Sequence, residues 1–138
     1  MNNKHRGKRI ETGEWIYGYL IGDNVIVGEI VDWNDEYFNT EYWYAVDPAT
    51  VGKYIGIKDG TNNDEWCVGD ILTPNPHLHN QEVQIICYDS HQAKYKSVPL
   101  STYRTNAGNG GWTGYDIKYW QRRLGNIHDN PELLEVQR

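Results

Sequence analysis

Short apolar runs, each bounded by residues that favour turns, dominate the first half of the chain. Residues 14–21 alternate aromatic and aliphatic side chains, and residues 25–31 continue with β-branched side chains after a turn at 22–24. This alternation predicts two strands joined as a hairpin. The acidic and polar stretch at 32–40 is expected to be a surface loop, and residues 41–46 are expected to return as a strand.

The second half shows the same pattern with more glycine. Residues 51–57 have β character, Gly69 and Asp70 predict a tight turn that leads into 71–73, and residues 82–88 and 95–98 predict a pair of strands. Four glycines make residues 105–114 a wide turn or loop. Residues 115–127 are interpreted as a further strand.

The C-terminal end has a different signature. Asp129 and Asn130 are capping residue types, Pro131 suits a first helical position, and Glu132 places an acid in the first turn. These residues predict a short helix over 131–136. Strands otherwise dominate, so the predicted fold is mainly β: a compact, highly twisted, small-barrel or sandwich-like single domain over residues 1–138 with a short C-terminal helix.

Composition adds that aromatic residues supply much of the core. The chain has 138 residues, of which 38% are hydrophobic, and it contains 6 Trp and 11 Tyr but one Phe. No apolar run approaches the roughly 18 residues that a membrane span requires, and the start lacks the apolar stretch of a signal peptide. The expected protein is therefore soluble and cytoplasmic, with Cys67 and Cys87 reduced and buried.

The net charge of −6 argues against a surface devoted to nucleic acid, but the positive charge is unevenly placed. The first nine residues contain basic side chains and no acid, which is typical of a solvated arm or a charge-protected edge strand, or alternatively of an arm that contacts phosphate. A second stretch interleaves basic and aromatic residues around Tyr119, as single-strand binders do, although on a strand alternate side chains would face opposite ways. The candidate nucleic-acid residues are Lys4, Arg6, Lys8, Arg9, Lys118, Trp120, Arg122 and Arg123.

Other chemistry is weakly supported. His77 and His79 could share one face of a strand, but further zinc ligands are missing nearby. The acidic loop at 59–65 lacks the spacing of a calcium loop, and the glycines at 108–111 lack the lysine of a phosphate loop. No nucleophile, base or paired-carboxylate arrangement can be argued, so no catalytic, cofactor-binding or metal residue is predicted.

Three blocks of turn and packing residues carry the most specific signal. They occupy residues 6–18, 47–72 and 125–134, and they contain Gly-Glu-Trp-Ile-Tyr-Gly, Asp-Pro-Ala-Thr-Val-Gly-Lys-Tyr-Ile-Gly-Ile-Lys-Asp, Gly-Asp-Ile-Leu, and Gly-Asn-Ile-His-Asp-Asn-Pro-Glu-Leu. In these blocks the chain resembles the YopX family of phage and prophage proteins. That resemblance implies a mostly β fold and a phage or prophage origin, and it supplies no catalytic residues.

The chain departs from the family pattern at two places. The hairpin after Lys58 has Asn62 and Asn63 where an Asn-Gly turn is usual, and Val68 stands where an acid usually precedes Gly69. Residues 73–112 match no part of the pattern.

The sequence therefore predicts a non-enzymatic binding or assembly module that needs no cofactor. Its expected partner is a protein of the bacterial host or the phage, and exposed aromatic residues make a homo-oligomer a further expectation. Two alternatives stay open: a module that binds nucleic acid through the basic start and residues 118–123, and an enzyme of unknown reaction.

Overall fold

The computed structural model describes residues 4–58, 65–74, 82–106, 111–118 and 120–135, apart from the side chain of Lys58. The chain divides into two compact units, Met1–Tyr54 and Ile55–Arg138. The single domain over residues 1–138 stays a prediction. The described strands are β1 (Lys4–Lys8), β2 (Trp15–Ile21), β3 (Val25–Val27), β4 (Ile30–Trp33), β5 (Phe38–Thr40), β6 (Trp43–Ala45), β7 (Gly52–Lys58), β8 (Glu65–Cys67), β9 (Asp70–Leu72), β10 (Gln84–Asp89), β11 (Lys94–Pro99) and β12 (Arg123–Asn126).

Helix is scarce in the described part of the chain. It consists of α1 (Leu100–Asn106) and two 3₁₀ turns, Pro48–Thr50 and Pro131–Leu134. The mainly β fold and the short C-terminal helix are thus confirmed, the latter as a 3₁₀ turn. The described strands lie in open antiparallel sheets and close no barrel.

The first unit is built on a sheet with the strand order β6-β3-β2-β1-β7. Strand β1 pairs antiparallel with β2 on one side, with Lys8 opposite Trp15 and Arg6 opposite Tyr17. On its other side β1 pairs with the beginning of β7, where Gly52 lies opposite Arg6. The prediction of a basic arm over residues 1–9 is therefore wrong for the described residues 4–9, because β1 is an inner strand.

One face of this sheet is packed tightly at glycines. Ile26 and Val46 are fully buried. A Cβ on Gly7 would lie 3.0 Å from a methyl group of Val46, and one on Gly18 would overlap the carbonyl oxygen of Val27. The two glycines therefore let neighbouring chain segments approach more closely than a side chain would allow.

The stretch predicted as a loop at 32–40 is instead a β-hairpin. Strands β4 and β5 form a separate two-stranded sheet, with Trp33 opposite Phe38. Its turn is closed by Asn34, whose side-chain oxygen accepts hydrogen bonds from the backbone N–H groups of Glu36 and Tyr37 at 2.8 and 3.1 Å. The hairpin was not predicted from the sequence because its side chains are exposed on both faces. Its sequence therefore lacks the alternation of apolar and polar residues that indicates a half-buried strand.

In the second unit β8 neighbours β7, and the remaining strands form a sheet with the order β11-β10-β9-β12. The predicted pairing of β10 with β11 is confirmed, with Ile85 opposite Val98. Two groups of buried side chains form its interior. One consists of Ile71, Ile85, Cys87, Val98 and Leu100, and the other of Trp66, Leu72 and Ile86.

Two predictions in this unit are wrong. Residues 100–106 form a helix where no helix was predicted. Among the described residues of 115–127, strand occurs only at β12, with one isolated bridge between Tyr115 and Ser97. The loop predicted at 105–114 lies partly outside the described residues. Residues 116–118 and 120–122 are not in strands, so their basic and aromatic side chains do not alternate between the two faces of a strand.

Candidate functional site

The basic side chains of β1 are occupied with aromatic partners inside the first unit. Arg6 is 5% exposed, and its guanidinium carbon lies 4.8 Å from the ring centre of Trp15. The ammonium of Lys8 lies 5.2 Å from the same ring. A cation held over an indole ring is stabilised there by the ring quadrupole, so these charges serve the packing of β1 on β2.

Arg9 follows β1 directly and has other partners. Its guanidinium stacks 4.1 Å from the ring centre of Tyr44 and reaches Glu11 at 3.4 Å and Glu14 at 3.7 Å. Lys4 is the exposed side chain of the predicted set in this unit. The described residues 4–9 therefore do not form a row of exposed cations along a phosphate backbone.

The second predicted group lies in the other unit and is not arranged on one strand face. Arg122 is exposed, and its guanidinium donates hydrogen bonds to the backbone carbonyls of Trp120 and Gln121 at 2.9 and 3.1 Å. Arg123 lies 3.7 Å from the buried carboxylate of Asp70. Lys118 and Trp120 instead line a common cavity.

That cavity has a volume of about 320 Å³ and lies wholly within the second unit. Tyr115, Lys118 and Trp120 line it together with two buried glutamines, Gln84 and Gln121. The glutamines are 3% and 1% exposed, so they form a polar floor, and the wall contains aromatic rings and the oppositely charged side chains of Asp116 and Lys118.

Hydrogen bonds fix this polar floor. The side-chain oxygen of Gln84 accepts from the Ser97 hydroxyl at 2.6 Å and from Nε2 of Gln121 at 2.9 Å. Gln121 also donates to the carbonyl of Thr73 at 2.9 Å and accepts from the backbone N–H of Lys118 at 3.0 Å. The network ties Lys118 and Gln121 to the sheet, which holds this part of the cavity wall in place.

A buried ion pair lies in the same unit. The ammonium of Lys96 is 2.7 Å from Asp89, and both side chains are almost fully buried. The Asp89 carboxylate also accepts from the backbone N–H groups of His91 and Gln92 at 2.9 and 3.3 Å. The hydrogen bond from Lys96 is the largest cause that lowers the pKa of Asp89, against an opposing effect of burial.

The hairpin of the first unit, β4–β5, exposes an unusual amount of apolar surface. Trp33 is 71% exposed, and four further large apolar side chains on the hairpin are more than half exposed: Ile30, Val31, Tyr37 and Phe38. All of these side chains except Val31 border an open depression of about 540 Å³ at the hairpin turn. Contiguous exposed apolar side chains of this kind mark interaction surfaces.

Metal and membrane chemistry find no support in the described part of the chain. It contains no group of three His, Cys, Asp or Glu side chains that could hold a metal ion. None of its helices is long and apolar enough to cross a membrane. His77, His79 and residues 59–64 lie outside the described residues, so the weak zinc and calcium candidates are not tested.

The motif blocks supply turns and links between elements. Thr50 donates to the carbonyl of Asp47 at 2.6 Å and accepts from the backbone N–H of Lys8 at 2.8 Å, which joins the second block to the first. In the last block the Asn126 side chain accepts from the backbone N–H groups of His128 and Asp129, both at 2.9 Å. These residues determine backbone geometry.

The family model of the YopX protein matches residues 4–135, nearly the whole chain. The chain belongs to the YopX family. The suspected resemblance is thereby confirmed. A search of curated proteins found no match.

A solved structure shows the same fold as this YopX chain. The crystal structure of protein EF1440 from Enterococcus faecalis is 20% identical, with a TM-score of 0.55 over 96% of this chain and 97% of that one. At this level of identity the likeness shows the fold alone.

Sequence reasoning missed the two features that the structure makes most prominent. The hairpin gave no periodic signal. Gln84 did leave a signal, because it is a polar residue at the head of the apolar run Ile85–Ile86–Cys87, where a buried side chain needs a hydrogen-bond partner. Gln121 could not have been found from the sequence, since its partners Thr73 and Gln84 are distant along the chain.

Proposed function

We propose that this YopX protein is a non-enzymatic binding module that docks on a partner protein through the hairpin β4–β5. The observation that carries the proposal is the cluster of large apolar side chains on that hairpin, with Trp33 the most exposed. Tryptophan and tyrosine are enriched among the residues that dominate interface energetics. Strands β4 and β5 also pair with each other alone among the described strands, so each offers an open edge to an added strand.

Charge selects the kind of partner. Residues 10–52, which include the hairpin, contain nine acidic residues and no Lys, Arg or His. A second copy of a chain with net charge −6 would bring acid against acid at this surface, whereas a cationic protein surface would be attracted to it. The proposed partner is therefore a cationic protein, and the expected homo-oligomer becomes an alternative outcome. Family membership supports a phage or prophage origin and a setting in the bacterial cytoplasm as part of this proposal.

The test immobilises this protein and its variants and exposes each to a lysate of the bacterium that carries the gene. The captured partner is then purified, and its affinity for each variant is measured. The wild type, a Trp33→Ser/Phe38→Ser double variant and a Leu124→Ser control are used, since Leu124 is an exposed apolar side chain on β12. We expect the double variant to bind the partner about tenfold more weakly or worse, and the control to bind as the wild type does. Rising salt should weaken binding, because the attraction is electrostatic in part.

Two results would contradict the proposal. One is equal affinity of the double variant and the wild type for every captured protein. The other is a wild-type dimer in analytical ultracentrifugation that the double variant loses, which would make the occupant a second copy. Unchanged melting temperatures would show that neither variant is unfolded.

Nucleic-acid binding remains the second candidate, confined to the second unit. The cations of Arg6 and Lys8 lie over the ring of Trp15, and that of Arg9 lies over Tyr44. These contacts make the three side chains poor candidates for binding phosphate. Lys118 and Trp120 favour the candidate, because they line one cavity.

A further inference from the structure

The cavity beside Trp120 has the properties of a prepared ligand site. Its volume of about 320 Å³ is close to the smaller small-molecule pockets, which begin at about 300 Å³. Its floor consists of Gln84 and Gln121, which are buried and joined by hydrogen bonds before any ligand arrives. A floor held in this way does not have to be ordered on binding.

The decisive feature is the side-chain amide of Gln84. Its oxygen is fully used, since it accepts from both Ser97 and Gln121. Its Nε2 group donates to none of the described residues. Gln84 is only 3% exposed, and it lines the cavity. An amide N–H group on the cavity lining that donates to no described residue is open to an acceptor from a ligand.

The walls supply further donors and a stacking surface. Trp120 lines the cavity, and its indole N–H makes no hydrogen bond to a described residue. Asp116 also lines the cavity, and its carboxylate is paired with the ammonium of Lys94 at 2.8 Å, which lowers the pKa of Asp116. Lys118 adds a positive charge to the lining.

From this arrangement we infer that the cavity binds a nucleobase that bears a ring carbonyl and is attached to a phosphate. The base would stack on the Trp120 ring, its carbonyl would accept from Nε2 of Gln84, and the phosphate would lie beside Lys118. Stacking on an aromatic ring tolerates different bases, and a carbonyl acceptor is what a lone amide donor can recognise. The inference is independent of the docking function and deepens the second candidate function, nucleic-acid binding, at the same cavity.

The test is isothermal titration calorimetry of the full chain with thymidine 5′-monophosphate, thymidine, a ten-residue oligothymidylate and glucose. We expect thymidine 5′-monophosphate to bind more tightly than thymidine, and Lys118→Gln to remove that difference. Trp120→Ala should weaken both by about tenfold or more, and Trp120→Phe should restore most of the affinity. The matched control is Trp43→Ala, because Trp43 is a 67% exposed tryptophan on β6 in the other unit and its replacement should leave binding unchanged.

The oligonucleotide separates two sources of the same chemistry. Binding of oligothymidylate much tighter than that of the mononucleotide would identify a base within a single strand, and equal binding per base would identify a free nucleotide. NMR of the Gln84 side-chain amide protons gives a readout on the unaltered protein, and they should shift on addition of either ligand.

The inference is overturned if neither thymidine ligand binds at millimolar concentration, if Trp120→Ala binds as the wild type does, or if glucose binds better. The double hairpin variant should keep the nucleotide site, so failure of the docking proposal and failure of this one are distinguishable.

Discussion

At the scale of single residues, the two Asp–Lys pairs of the second unit show how burial changes what an ion pair does. Lys96–Asp89 and Lys94–Asp116 have nearly the same length, 2.7 and 2.8 Å. The first pair is almost fully buried, whereas the side chains of the second are 46% and 65% exposed. An exposed pair is screened by water and adds little to stability, but removing one partner of a buried pair leaves an uncompensated charge.

We therefore predict that Asp89→Asn lowers the urea midpoint clearly at about pH 7, while Asp116→Asn changes it little. The pKa of Asp89 is lowered in the folded protein, chiefly by the hydrogen bond from Lys96. Its contribution is therefore complete above the unfolded value of about 4 and is lost as the pH falls through the lower folded value. Urea titrations at about pH 7 and about pH 3 should show the wild type and Asp89→Asn converging in acid. An unchanged gap at low pH would refute the role assigned to Asp89.

At the scale of elements, close approach of strands depends on glycines that the first motif block contains. Gly18 lies on β2, where a Cβ would overlap the carbonyl oxygen of Val27 on the paired strand β3. Gly22, in the turn between the same strands, has open space around it and a φ of +63°. The two glycines are thus required for different reasons, one for space and one for backbone conformation.

Gly18→Ala is predicted to destabilise the protein by about 3 kcal/mol, because backbone atoms must move to relieve the overlap. Gly22→Ala should lower the free energy of unfolding by only about 1 kcal/mol, which is the usual penalty for placing alanine in a left-handed conformation. Chemical denaturation of both variants measures the difference. Equal losses would show that β2 and β3 can separate without penalty, contrary to the packing described.

The helix α1 and the hairpin β4–β5 show why some elements escaped prediction. The sequence of α1, Leu-Ser-Thr-Tyr-Arg-Thr-Asn, is short and rich in residues of modest helix propensity. Leu100 and Tyr103 nevertheless join the buried group around Ile71 and Val98. This packing stabilises the helix despite the weak helix propensity of its residues. The contacts come from residues distant in the sequence, so a short stretch of sequence does not reveal them.

At the scale of the whole molecule, both cysteines lie in the interior of the second unit. Cys67 and Cys87 are buried thiols, and burial raises the pKa of the Cys87 thiol to about 12. The expectation of small buried side chains is confirmed for both. A thiol that is protonated and shielded from solvent is a poor nucleophile.

Both thiols should therefore resist an aromatic disulfide reagent at about pH 8 in the native protein and react once denaturant unfolds it. The reaction rate as a function of urea should follow the unfolding transition measured by tryptophan fluorescence. Rapid labelling of either cysteine without denaturant would show that the second unit opens locally, and mass spectrometry would identify which one reacted.

The sequence by itself determined the strand-rich class, the turns at glycine, proline and asparagine, the family, and most strands with clear apolar alternation. These features depend on residues a few positions apart, so local patterns carry them. The tertiary structure alone decided that the basic start is an inner strand with Arg6 and Lys8 over Trp15, and that Gln84 meets Gln121 beneath Trp120. Those arrangements depend on strand pairing and packing between distant residues, whose free energies no short stretch of sequence contains.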